Sequence, residues 1–159
     1  TVSGPRESLP RARMALAEQG LHARAVDDLE TACRAADVIS TVTASTRPII
    51  QGDWLKPGSH LDLIGAFKGD MRESDDQAIQ QAEVFVDLRA GASLAGDLSQ
   101  PLEAGQITPE HIRADLAELC QGGHPGRSDD GARTVFKSAG MALQDLAAAT
   151  MASDHTILG

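Results

Sequence analysis

A chain of 159 residues is long enough for one domain with a hydrophobic core and short for two. Its formal net charge of -9 and its aromatic content of 3% argue against nucleic-acid binding, because an acidic surface repels phosphates and few rings are available to stack on bases. The sequence has neither an apolar run of membrane-spanning length nor a basic-then-apolar signal pattern, and its two cysteines are far apart. Together these features predict a cytoplasmic protein with reduced thiols.

The first ninety residues alternate short apolar strands with short helices. Strands are expected near residues 22–26, 37–42, 60–64 and 83–87. Asp27 and Glu30 suggest a capping box that opens one of the intervening helices. The alternation predicts an α/β fold of the Rossmann type, a parallel sheet with flanking helices and right-handed crossovers.

Beyond residue 90 the strand pattern weakens, and glycine and proline punctuate short helices expected at 108–112 and 115–120. From Thr134 to about Ala152 the chain is expected to be helical. The apolar face of this helix comprises Ala139, Leu143, Leu146 and Ala147. Two domains are therefore predicted, a nucleotide-binding domain over residues 1–132 and a C-terminal helix over 133–152.

A doubly wound sheet binds its ligand beyond the carboxyl ends of its strands. Ser3, Gly4 and Arg6 follow the opening strand at the position where a dinucleotide-binding fold meets the adenosine ribose. No acid precedes Glu7, so Ser3 and Arg6 could accept a 2′-phosphate, which slightly favours NADP over NAD. An ordinary solvated turn explains these residues equally well.

Two further strand ends are candidates for contact with a cofactor. Thr41, Val42 and Thr43 end one apolar strand, where small hydroxyl side chains let a flat cofactor approach the backbone, although Thr is also a common turn residue. Gly65 and Ala66 end the next strand and leave room for a nicotinamide ring.

Taken together, several segments resemble the ornithine cyclodeaminase/mu-crystallin family. The matching segments are residues 36–41, 54–60, 65–67, 71–73, 95–101, 123–127 and 134–140. They cover nearly the whole chain in the expected order. Arg72 and Glu73, within this set, are expected to anchor their loop.

The resemblance implies that a complete member is about twice this length. It has an N-terminal dimerisation and substrate domain, a Rossmann domain, and a C-terminal helix that packs back on the first domain. Thr1 and Val2 then correspond to the second Rossmann strand. The first strand, the glycine-rich loop and the substrate-binding Arg and Lys would lie upstream of residue 1, so this chain alone is expected to be inactive. A homodimer through the missing domain is implied.

The resemblance also bears on the reaction. Cyclodeaminases of the family place a catalytic Asp two residues after the glycine that corresponds to Gly65, and here that position is Phe67. A phenyl ring cannot transfer a proton. Members without the acid are similar to ketimine and Δ1-pyrroline-2-carboxylate reductases, so the expected activity is NAD(P)H-dependent reduction of a cyclic imino acid, or the reverse oxidation. A cyclodeaminase that uses another acid, such as Asp70, and a non-catalytic binding protein remain alternatives.

Two further interpretations accompany the resemblance. Lys137 and Ser138 are expected at the start of the last helix, where free N–H groups and a hydroxyl could face the nicotinamide carboxamide; a simple helix cap is equally compatible. His124 has no second ligand at metal spacing, so no metal site is predicted.

Overall fold

The computed structural model describes residues 2–4 and 9–157, and the chain divides into two compact units after Ala36. The first unit contains helices α1 (Leu9–Glu18) and α2 (Leu29–Ala35). The strand expected at 22–26 is reduced to one parallel bridge between Val2 and Ala25. Asp28, and not Asp27, caps α2, because it directly precedes the helix and its carboxylate accepts the N–H of Thr31.

The second unit is built on a five-stranded parallel sheet. Its strands are β1 (Val38–Thr41), β2 (His60–Leu63), β3 (Ala82–Val86), β4 (Ile112–Asp115) and β5 (Arg133–Lys137). Their spatial order is β1-β2-β5-β3-β4, and every neighbouring pair is parallel. The predicted parallel pairing of the segments near 37–42 and 60–64 is confirmed, and with it the α/β fold class.

The chain from Thr134 was expected to be helical, and this prediction is wrong over its first eight residues. Residues 133–137 form β5, the central strand, between β2 and β3. Thr134, Val135 and Phe136 are β-branched or aromatic and fit a pleated, buried surface, which outweighs the helical periodicity that follows them. The last helix, α7 (Ala142–Ile157), begins eight residues later than predicted, and Leu143 and Leu146 on it are exposed.

The prediction of a helix over residues 108–112 is also wrong. One 3-10 turn at Pro109–His111 leads directly into β4. Ile112 and Ala114 point to the interior in alternation with Arg113. This is the two-residue period of a strand, which is hard to recognise in a sequence of only four residues. The next helix, α6 (Leu116–Cys120), is confirmed and is opened by a capping box between Asp115 and Glu118.

One face of the sheet forms the core of the second unit. Its buried side chains include Ile39, Leu61, Leu63, Val84, Val86 and Val135. Helix α3 (Asp76–Gln80) contacts β3 and α5 (Gly96–Glu103) on this side, and α4 (Arg89–Ala92) lies between β3 and α5 in the chain. Because all strands are parallel, the carboxyl ends of β1, β2, β5 and β3 meet at one edge, called here the carboxyl edge. Of the helices described, none is long and apolar enough to cross a membrane.

Candidate functional site

The loops that follow β1 and β2 are joined by the buried carboxylate of Glu73. Its Oε1 accepts the backbone N–H of Thr43 at 2.6 Å and the Thr43 hydroxyl at 2.8 Å, and its Oε2 accepts the N–H of Gly65 at 2.8 Å. Arg72 beside it donates to the Ser74 carbonyl oxygen and pairs with Asp76. The prediction that Arg72 and Glu73 anchor this loop is confirmed.

Position 65 requires a glycine because the backbone of Thr43 lies too close to it for any side chain. A Cβ atom at this position would lie 2.0 Å from the carbonyl oxygen and 2.2 Å from the nitrogen of Thr43. The absence of a side chain therefore lets the β1 and β2 loops touch, and does not by itself open space for a ligand. Ala66, the next residue, is fully buried.

A second buried carboxylate, Asp97 near the start of α5, holds the same loop from the other side. Its Oδ1 accepts the N–H groups of Glu73 and Ser74 at 2.8 and 3.0 Å. Its Oδ2 faces the ammonium group of Lys137 at 3.2 Å, and both side chains are fully buried. Lys137 also donates to the carbonyl oxygen of Leu63 at 3.1 Å. The ion pair thus ties β5 and β2 to α5.

A third buried carboxylate, Asp87, follows β3 and organises the loop after β5. Its Oδ2 accepts the Ser138 hydroxyl at 2.9 Å and the N–H groups of Ala139 and Gly140 at 2.9 and 2.7 Å. Gly140 has a φ of 85°, a left-handed conformation that glycine adopts without strain. Lys137 and Ser138 therefore lie at a strand end and in the following loop, and their predicted place at a helix start is wrong.

Apolar side chains remain exposed at the carboxyl edge. Val42 follows β1 with 71% of its surface exposed, Ile64 follows β2 with 42%, and Leu88 lies two residues after β3 with 42%. Phe67 is 55% exposed, and the Lys68 ammonium lies 5.5 Å from the centre of its ring. A flat and largely apolar ring fits such a set of side chains at the edge where parallel sheets bind ligands.

The other predicted site residues are distributed as follows. Thr41 is buried and its hydroxyl donates to the Asp62 carbonyl oxygen at 3.3 Å, so its side chain faces inward. Ser3 and Gly4 are exposed in the first unit, and Arg6 lies outside the described residues. Their predicted roles in cofactor binding, like those of the other candidates, stay predictions.

Sequence reasoning missed Asp87 and Asp97. Both occur in otherwise apolar surroundings, Asp87 directly after Val84-Phe85-Val86 and Asp97 between Gly96 and Leu98. A carboxylate at the end of a buried strand is a signal that could have identified Asp87, because a buried charge needs designated donors.

The opposite face of the sheet carries a separate cavity of about 270 Å³ lined by His60, Phe85, Arg127 and Thr134 among others. His60 Nδ1 lies 2.7 Å from the Thr134 hydroxyl. Burial, chiefly, and the Arg127 charge lower the pKa of His60, while the charge of Asp62 opposes them. His124 packs edge-on against Phe85, and in the described part of the chain no group of three His, Cys, Asp or Glu side chains could hold a metal ion.

Comparison with known proteins identifies the family of this chain. A model of the ornithine cyclodeaminase/mu-crystallin family matches residues 6–158. The chain belongs to this family. It is 44% identical over 123 residues to a Δ1-pyrroline-2-carboxylate reductase of Paracoccus denitrificans, and 39% identical over 132 residues to the mouse ketimine reductase mu-crystallin. These alignments cover 77% and 82% of the chain and 39% of each relative, so the chain spans about two fifths of their length.

Solved structures agree with the fold. The Thermococcus litoralis Δ1-pyrroline-2-carboxylate reductase in complex with NADH and L-proline superposes with a TM-score of 0.89 at 28% identity, covering 97% of this chain and 48% of that one. An archaeal alanine dehydrogenase dimer with bound NAD gives a TM-score of 0.85 at 30% identity, covering 93% of this chain and 46% of that one.

Proposed function

We propose that the protein is an NAD(P)H-dependent reductase of a cyclic imino acid, of the ketimine or pyrroline-2-carboxylate type, which also catalyses the reverse oxidation. The observation that carries this proposal is Phe67, an exposed phenyl ring in the loop that follows β2. The relatives named as reductases, and the bound NADH and NAD of the similar structures, support the same assignment.

The residues of the carboxyl edge fit a nicotinamide cofactor. Val42, Ile64 and Leu88 offer apolar contact at three strand ends, while Glu73 and Asp87 occupy the nearby backbone N–H groups and so keep the loops in one shape. When bound, the cofactor supplies the hydride. Phe67 contributes shape and the exclusion of water, which favours an imine carbon as the acceptor over hydrolytic chemistry.

The same residue argues against cyclodeamination. That reaction needs a group that moves protons at this position, and Phe67 has none. Asp70, the next acid along the loop, is exposed, as a solvated turn residue is. An acid supplied from elsewhere in the protein is the remaining route to a cyclodeaminase, and the assay below separates the two reactions.

Three finer statements belong to this proposal. NADPH is expected to bind about tenfold more tightly than NADH, because Arg6 and Ser3 can meet a 2′-phosphate. The Arg6→Ala variant should abolish that difference when both cofactors are titrated.

A homodimer is proposed, supported by the dimeric alanine dehydrogenase. A cytoplasmic location is proposed, supported by the unpaired Cys33 and Cys120.

The reaction is tested with the protein as its gene encodes it. Purified protein is incubated with Δ1-pyrroline-2-carboxylate and NADPH, and in parallel with ornithine and catalytic NAD+. A reductase oxidises one cofactor per imine and leaves ornithine untouched. Ornithine consumption with release of ammonia and without net change of the cofactor would identify a cyclodeaminase, and cofactor binding without either reaction would identify a binding protein.

A further inference from the structure

Four charged side chains are buried at the carboxyl edge: Glu73, Asp87, Asp97 and Lys137. Each carboxylate only accepts hydrogen bonds in the contacts described above, as ionised carboxylates do. Three carboxylates and one ammonium leave two negative charges without a buried cation. Backbone N–H groups and hydroxyls donate hydrogen bonds to the carboxylates. These bonds stabilise the two uncompensated negative charges but do not neutralise them.

The four residues are linked partly through their side chains and partly through their backbone. Glu73 donates its N–H to Asp97, Asp97 faces Lys137, and the carbonyl oxygen of Lys137 accepts the N–H of Asp87 at 3.1 Å. At its two ends the network binds the loops after β1 and β2 through Glu73 and the loop after β5 through Asp87. The negative charge is thus fixed along the whole carboxyl edge.

The network lies next to the exposed apolar side chains. Gly65, bound by Glu73, follows Ile64 directly, and Asp87 directly precedes Leu88. Because the carboxylates are buried, at least part of the path between them and a ligand on this apolar surface runs through protein. Charges interact more strongly through protein than through water, and salt screens them less.

We propose that this buried negative charge makes the carboxyl edge bind the oxidised nicotinamide more tightly than the reduced one. The inference rests on the proposed function, because it assumes that a nicotinamide binds here. The oxidised ring carries a positive charge that the reduced ring lacks, so the network attracts one form and not the other. A protonated imine is attracted for the same reason, which makes the edge suitable for a cationic acceptor.

The test is the ratio of two dissociation constants in the protein as its gene encodes it. NAD+ and NADH, and NADP+ and NADPH, are titrated by calorimetry into the parent protein and the Glu73→Gln and Asp87→Asn variants. Each substitution removes one negative charge at nearly constant volume. We expect the oxidised form to lose about three- to tenfold more affinity than the reduced form. The exposed carboxylate of Asp70 supplies the matched control, since Asp70→Asn should leave the ratio unchanged.

The ratio of the two dissociation constants separates an effect of the carboxylate charge from an effect of loop packing. If the carboxylates serve only to hold the loops, both forms weaken equally and the ratio stays constant, which overturns the inference while leaving the proposed function intact. Binding of neither form by the parent protein would refute the proposed function itself. If Glu73→Gln fails to fold, the ratio measured in Asp87→Asn decides, because this variant removes a different negative charge. If Asp87→Asn also fails to fold, the ratio is measured in Asp97→Asn. An unchanged ratio in that variant overturns the inference.

Discussion

Replacing Lys137 by Met removes the buried cation and leaves the Asp97 carboxylate facing an apolar side chain. Both groups are fully buried and 3.2 Å apart in the native structure, and Lys137 also donates to the Leu63 carbonyl oxygen. Removing one partner of such a pair costs about 3–5 kcal/mol. That is a large part of a total stability of about 5–15 kcal/mol. Urea unfolding followed by circular dichroism should show a lower midpoint with an unchanged slope.

Two controls make this test specific. Lys56→Met breaks the exposed ion pair with Asp37 and should cost no more than about 1 kcal/mol. The double variant Lys137→Met/Asp97→Asn removes both charges, so its cost should be at least 1 kcal/mol smaller than the sum of the single costs. A Lys137→Met variant as stable as Lys56→Met would refute the argument that the buried pair holds β5 to α5.

Three further predictions follow from individual residues. Gly65→Ala should destabilise the protein by about 1–3 kcal/mol in urea unfolding because its Cβ overlaps the neighbouring backbone, whereas Gly69→Ala, with no atom nearer than 3.7 Å, should change stability by less than about 0.5 kcal/mol. Stability should fall as the pH drops below the ordinary His pKa of 6.5, because the lowered pKa of His60 makes the unfolded chain take up the proton first; His60→Gln should flatten that part of the profile. Phe67→Asp should reduce the initial rate of imine reduction about tenfold, and Phe67→Leu much less; equal rates in all three proteins would remove Phe67 from the site.

A helix was expected at the start of the edge strand β4, but strands β1, β2 and β3 could be predicted from the sequence because each is a short apolar run next to helix or turn residues. Strand β5 could not, because Thr134 to Lys137 lead into a strongly periodic helical segment and the strand gains its stability only from β2 and β3 on either side. Strand pairing over such separations in sequence leaves no local signal.

The sequence indicated which strand ends lie at the carboxyl edge but not how their backbone groups are turned, and cofactor binding there stays a prediction. The strand ends after β1 and β2 do come together, yet Thr43 and Gly65 are turned toward Glu73 and each other. Sequence indicates which residues follow a strand, whereas the direction of their N–H groups depends on a carboxylate that arrives from a distant part of the chain. Lys137 illustrates the same limit, because its partner Asp97 lies forty residues earlier.

The central claim is hydride transfer from a nicotinamide to an imine carbon, and isotope transfer measures it directly. NADPH carrying deuterium at the transferable position of C4 is incubated with Δ1-pyrroline-2-carboxylate and the protein as its gene encodes it, and the product amino acid is analysed by mass spectrometry. The account predicts one deuterium at the α-carbon for each cofactor oxidised. Formation of the amino acid without deuterium at that carbon, or no product at all while the cofactor binds, would contradict it.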